Sequence, residues 1–187
     1  VPDTIWFKSL TTQSWNCFFP NTFMGGTKGM QVDNEGAAAD VTHMNNTMPT
    51  STVITLGANQ AATNAFADGV GQAYIVYCWK NIEGFSKIGE YEGSNNAASG
   101  TFVNCGFRPA YLMIKNADAA DTNWSVLTSK IEPNNPASTP SFLDASAAEQ
   151  SGLASNSIDF TSNGFNQRNA DIRFNDPQTY VFMAFAE

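Results

Sequence analysis

The sequence predicts an all-β fold, a jelly-roll-like sandwich with little helix, and three observations carry that expectation. Short apolar runs rich in β-branched and aromatic residues (TIWFK, AYIVYCW, YLMIK, TYVFMAF) recur along the chain, each bounded by Pro, Gly, Asn or Asp. Charged residues make up only 14% of the chain against 42% hydrophobic ones, and Asn, Ser, Thr and Gly fill much of the rest, a balance that suits strands joined by polar turns. The third observation is that the opening of the chain reads like a second copy of the stretch that begins near Arg108.

Each element follows from its pattern. TIWFK is a strand, and a second one forms around Trp15. KGMQVDNEGAAAD is an acidic, Ala-rich loop, and MNNTMPTST is a loop by its turn residues. NQAATNAFA, residues 59–67, is a short turn of helix at most. AYIVYCW closes the first half, and FSKIGEYEG alternates as a half-exposed strand. After the loop SNNAASG, YLMIK and the Trp124 strand repeat the opening pair, and PNNPASTP is again a loop. ASAAEQ, residues 145–150, is the second candidate for a short helix. SIDFTSNGF runs as a half-exposed strand into a turn, and TYVFMAF ends the fold. The four apolar runs are too short for core helices and apolar on successive residues, so all four are expected to be central strands buried on both faces.

The repeat is specific. Setting VPDTIWFK over RPAYLMIK places Pro2 on Pro109, Ile5 on Leu112, Phe7 on Ile114 and Lys8 on Lys115 without a gap. Trp15 meets Trp124 after a shift of two residues, and at the far end Gln72, Tyr74 and Trp79 fall on Gln178, Tyr180 and Phe185. KGMQVDNEGAAAD matches PSFLDASAAEQSG more loosely, while Asp3 against Ala110 and Asn16 against Ser125 show divergence. A duplication explains matched Pro, Lys, Trp and Tyr in one order better than chance resemblance of apolar runs does. The expectation is one domain over residues 1–187, with units of about 1–81 and 108–187 joined by 82–107 and packed so that neither exposes its apolar face. Trp15 and Trp124 are assigned to that shared core.

A net charge of −8 argues against a nucleic-acid partner, which would require clustered Lys and Arg. No apolar run approaches the roughly 18 residues of a membrane span, so no membrane insertion is expected. Val rather than Met at position 1 points to a processed chain or a segment of a longer polypeptide. Cys17 falls on Val126 and Cys78 on Ala184, which casts both as free core thiols. With Cys105 the count is three, so no disulfide framework is expected and assembly in a reducing cytosol is favoured, a Cys17–Cys78 bridge staying open if their strands are neighbours.

No catalytic, cofactor or metal residue is assigned. The single histidine, His43, lies in the loop VTHMNNTMP without a Ser or Cys motif around it, and reads as a solvated side chain. The nearest approach to a calcium site is QVDNEG, where Asp33, Asn34 and Glu35 could supply oxygens, although an ordinary acidic turn accounts for them. Seventeen Asp and Glu guarantee that some pair of carboxylates is close in space, which gives no signal for a glycosidase.

The blocks YIVYCWKNIEGFSKIGEYEG, FVNCGFRPAYLMIKN, the Trp of TNWSVL, IDFTSNGFNQR and TYVFMAFAE, in this order from about Pro2 to Glu187, resemble a domain of unknown biochemical activity found in tail-fibre and other structural proteins of tailed, often marine, bacteriophages. Two features depart from it: Ser129 and Lys130 stand where an Arg-Gly is common, and nothing follows AFAE, which suggests a chain end. The resemblance implies a virion component assembled in the host cytoplasm, with other virion proteins as partners and no catalytic or metal residue to carry over. The function expected from it is non-enzymatic, a tail-fibre or surface-decoration domain acting in assembly and adhesion to a host-surface glycan. It also implies a homo-oligomer, a trimer by analogy with fibres. A carbohydrate-binding module is the alternative, and a polysaccharide-degrading enzyme the weakest reading. Binding residues are expected in end loops such as 93–100 and 134–140.

Overall fold

The computed structural model describes residues 1–10, 15–20, 24–57, 66–67, 70–71, 73–146 and 157–187, and among these it is all-β, with fifteen strands and no helix. β1 (Thr4–Ser9), β2 (Trp15–Phe18), β3 (Lys28–Gln31) and β4 (Ala39–Asp40) form an antiparallel meander. After the small hairpin β5 (Phe66–Ala67) and β6 (Val70–Gly71), β7 (Tyr74–Trp79) returns beside β1, so sheet one has the order β4-β3-β2-β1-β7. β8 (Ser86–Glu92) and β9 (Phe102–Asn104) lead into the second half, made of β10 (Tyr111–Asn116), β11 (Ser125–Thr128), β12 (Ser141–Phe142), β13 (Ile158–Thr161), β14 (Gly164–Gln167) and β15 (Thr179–Phe185). Sheet two runs β12-β11-β10-β15-β8 and sheet three β13-β14-β9. In each half, three hairpin-linked strands with a fourth returning beside the first make a Greek key.

The two halves repeat one register. Ile5, Trp6 and Phe7 face Phe18, Cys17 and Asn16 across β1 and β2, as Leu112, Met113 and Ile114 face Leu127, Val126 and Ser125 across β10 and β11. All six pairs of β1 with β7, from Thr4 opposite Trp79 to Ser9 opposite Tyr74, recur from Tyr111 opposite Phe185 to Asn116 opposite Tyr180. The flanking bonds repeat as well: Leu10 N–H donates to Ala73 O and Ala117 N–H to Thr179 O. Asn16 and Cys17 pair with Gln31 and Met30, and Ser125 and Val126 with Phe142 and Ser141, which brings Asp33 and Asp144 to equivalent places. Each of these aspartates accepts the backbone N–H of its tryptophan, Trp15 at 3.3 Å and Trp124 at 3.1 Å.

Sheet two is the middle layer. Along β10 the pleat sends Leu112 and Ile114 into a cluster with Val103, Ile158, Phe160 and Phe165 of sheet three, and Met113 into a cluster with Cys17 and Met30 of sheet one. The outer face of sheet one packs Ile5, Phe7 and Phe18 under Met44, with Val41, Ile54 and Leu56 at the margin. The segment joining the units is therefore structural: β8 covers the edge of β15, and β9 pairs with β14. A polar clasp fixes the first unit to the second. The fully buried Lys115 Nζ donates to Asn116 O at 2.9 Å and Thr122 Oγ1 at 2.7 Å, and reaches Glu35 O of the first unit at 3.4 Å, while Trp124 Nε1–H donates to Gln31 O at 2.8 Å.

TIWFK, YLMIK and TYVFMAF are central strands, but AYIVYCW is not. β7 is the edge of sheet one, with Ile75, Val76 and Tyr77 all exposed, because the strand that would make it central, β8, crosses to sheet two. The same fact corrects Cys78, whose thiol is exposed although its counterpart Ala184 is buried; Cys17 and Cys105 are the core thiols. Cys17 and Cys78 lie on strands separated by β1, at different registers, so no bridge joins them, and all three cysteines are free. The segments proposed as short helices fall mostly outside the described residues; Phe66 and Ala67 at the end of one of them are strand.

Candidate functional site

The alternation of a strand puts Trp6 of β1, Trp15 of β2 and Tyr77 and Trp79 of β7 on the same face of sheet one, at the rim of the core between sheets one and two. Their rings form a connected row. Trp15 stacks on Tyr77 with centroids 5.9 Å apart, Tyr77 on Trp79 at 5.8 Å, and Trp79 meets Trp6 edge to face at 5.0 Å. Trp6, Trp15 and Trp79 are half-buried and Tyr77 is exposed. A groove of about 230 Å³ opens beside them, lined by Trp6, Trp15, Val32, Asp33 and Leu143. Asp33 presents an exposed carboxylate there while holding the Trp15 N–H, and the Trp6 indole N–H is buried without a hydrogen-bond partner among the described residues.

The repeat shows that rings are not what packing requires at two of these places, Trp6 and Tyr77. Met113 and Met183, the counterparts of Trp6 and Tyr77, are 1% and 3% exposed in the second unit, and Trp124, the counterpart of Trp15, is fully buried. At two of these sealed places the flexible side chain of methionine fills the space, and at the third a tryptophan does. In the open unit all three carry an aromatic ring. Such a surface stacks on flat apolar faces and offers the Asp33 carboxylate to polar groups at their edge.

The other candidates are accounted for by structure. Asn34 Oδ1 accepts the Gly36 N–H at 2.8 Å and its amide donates to Gln31 Oε1, while Glu35 Oε1 accepts from Asn123 Nδ2 at 2.7 Å. QVDNEG thus serves as a turn and as part of the clasp. No group of three or more His, Cys, Asp or Glu side chains placed to hold a metal ion occurs among the described residues. His43 is half-buried rather than solvated, lying edge-on to Phe18 at 6.0 Å. Trp124 belongs to the core as expected, stacked on Phe19 at 6.4 Å; Trp15 sits at the rim. The loop 93–100 is exposed for most of its length, whereas 134–140 is exposed only over 134–136, with Ala137 and Pro140 buried.

Sequence reasoning passed over Trp6 and Tyr77. The signal that could have found them is the mismatch inside the repeat, Trp6 against Met113 and Tyr77 against Met183, which marks places where the halves meet different surroundings.

No curated protein and no solved structure matches the chain. The model of one family, a domain of unknown function designated DUF7483, matches residues 1–187, and the chain belongs to that family.

Proposed function

We propose that the chain is a non-enzymatic virion component of a tailed bacteriophage, acting in assembly and adhesion, and that the aromatic face of sheet one holds a glycan of the host surface. The observation that carries the glycan reading is the row of four rings, half-open to solvent in one unit and replaced in part by buried methionine in the other. Pyranose rings present C–H faces that pack on aromatic rings, and hydroxyl groups that the exposed Asp33 carboxylate would meet at the groove. The virion reading rests on the sequence blocks described above.

Affinity electrophoresis of the protein through gels containing host-surface polysaccharides tests the proposal. Retardation without shortening of the polymer is the expected result, and Tyr77→Ala should weaken it about tenfold, the loss of one exposed ring in a small contact surface. Shortening of the polymer would overturn the non-enzymatic part, and unretarded migration in every polysaccharide would remove the glycan part and leave an architectural role.

A further inference from the structure

The repeat exposes one unmatched surface. In the second unit β15 pairs with β10 on one side and with β8 on the other, over seven residues from Thr179 opposite Glu92 to Phe185 opposite Ser86. Its Val181, Phe182 and Met183 are 0%, 2% and 3% exposed. The counterparts on β7, Ile75, Val76 and Tyr77, are 41%, 43% and 42% exposed, and among the described residues no strand pairs with the outer side of β7. Since Leu10 N–H donates to Ala73 O, the alternation of an antiparallel ladder turns the backbone of Ile75, Tyr77 and Trp79 toward β1 and the N–H and C=O of Val76 and Cys78 outward. Natural sheet edges are blunted by Lys, Pro, a bulge or extreme shortness. YIVYCW is six residues long, uncharged, free of Pro and rich in β-branched and aromatic residues.

We propose that β7 pairs antiparallel with β7 of a second copy of this chain, continuing sheet one across a two-fold axis. The ladder requires outward-facing residues to meet each other, and a register centred on Tyr77 satisfies this. It sets Val76 opposite the partner's Cys78, Tyr77 opposite the partner's Tyr77 and Ile75 opposite the partner's Trp79. Charge favours this occupant. Each chain carries a net −8, yet no charged residue lies within β7, and Lys80 just beyond it falls opposite the partner's Tyr74, so the two acidic chains meet through a neutral edge flanked by cations. The strand that completes the second unit is already spent, because SKIGEYE is paired with β15 in the same chain. The contact is two-fold and yields a dimer in place of the trimer expected by analogy with fibres. It stands independently of whether a glycan is bound.

Sedimentation and light scattering of the full chain at micromolar concentration should report a dimer. Val76→Pro removes one outward N–H and leaves the bonds to β1 in place, so it should raise the dimer dissociation constant about tenfold or more while the far-UV spectrum is kept. Val76→Cys provides a test that does not depend on how well the proline is tolerated. It sets a new thiol opposite the partner's Cys78 at the Cα spacing of about 5.5 Å of a hydrogen-bonded pair, within disulfide reach, so mild oxidation should give a covalent dimer. The combination of Val76→Cys with Cys78→Ser should not crosslink. A monomeric wild type with no crosslink overturns the proposal. So does a monomer that takes up a synthetic SKIGEYE peptide on this edge, which would assign the edge to a strand of a different protein.

Discussion

Trp15 and Trp124 hold equivalent places and have unequal consequences. The Trp124 ring is fully buried between the sheets and its N–H is bonded, so Trp124→Ala should cost about 3–5 kcal/mol in denaturant unfolding, transfer and cavity terms together. Trp15 lies at the rim, and Trp15→Ala should cost roughly 1–2 kcal/mol, in proportion to the apolar area that is covered. Equal losses would contradict the burial difference. The cysteines differ in the same way. Cys78 should react with a thiol reagent in the native protein, while Cys17 and Cys105 react only after denaturation, three thiols in all. Burial pushes the Cys17 thiol far up and the Cys105 thiol up to about 12, from an ordinary value near 9. Above pH 9 the unfolded chain therefore loses protons that the fold retains, and stability contributed below pH 9 is lost as pH rises. Lys115 works in the opposite sense: burial lowers its pKa to about 8 against the pull of Asp144 and Glu35, so the fold sheds a proton first and gains stability between about 8 and 10.5. Two thiols outweigh one amine. The Lys115 gain ends near pH 10.5 while the thiol loss continues, so the denaturant midpoint should fall from pH 9 to pH 11, and the double variant Cys17→Ala, Cys105→Ala should lose that fall; a midpoint that rises over this window in the wild type would contradict these assignments.

At the level of elements, the repeat supplies matched pairs whose differences can be read against each other. Asp33 and Asp144 both accept a tryptophan N–H, the first exposed at 3.3 Å and the second partly buried at 3.1 Å with Asn123 also donating to it at 3.2 Å. Asp144→Ala should destabilise by about 1–2 kcal/mol and Asp33→Ala by less than about 1, because water replaces the lost acceptor more readily at the exposed site. Equal effects in thermal unfolding would show that the pairing of β2 and β3 is held otherwise. Much of this level was legible in the sequence. Pro, Lys, Trp and Tyr in fixed order set the register of β1 on β10 and of β7 on β15, and the observed ladders follow it pair by pair. The looser match of KGMQVD to PSFLD was one residue out of step, since Gln31 holds the place of Phe142 and not of Leu143. What the sequence did not reveal is which of two alike strands is covered. YIVYCW and TYVFMAF have the same apolar character, and their difference in burial arises from β8, whose destination no local pattern encodes. The aromatic row went unread for a related reason: Trp and Tyr serve cores and surfaces alike, and only the packing of sheet two decides which face stays open.

For the molecule as a whole, the distribution of the core predicts how the fold is lost. Fifteen buried residues, all from the second half or the joining segment, make up the cluster between sheets two and three, whereas the cluster on the outer face of sheet one has four buried residues. The first unit has little to stabilise it alone. Its other face shares the middle cluster, where Cys17, Met30 and Val32 pack with Met113, Trp124, Val126, Val181 and Met183. Melting the first unit separately would expose those five side chains of the second unit, at about 1.5–3 kcal/mol for each large apolar group. It would also leave Lys115 and the Trp124 N–H without their acceptors at Glu35 and Gln31. These costs are comparable to the whole stability of a typical domain, about 5–15 kcal/mol, so the units should unfold together. Unfolding followed by tryptophan fluorescence, which reports Trp6, Trp15, Trp79 and Trp124, should coincide with the loss of the far-UV signal. Phe7→Ala, in the cluster outside sheet one, and Phe160→Ala, in the cluster against sheet three, should each lower that one midpoint. A Phe7→Ala protein that shows two separated transitions would mean that the second unit tolerates the exposure of Met113, Val126 and Met183, and that the shared core does not bind the repeats into one cooperative structure.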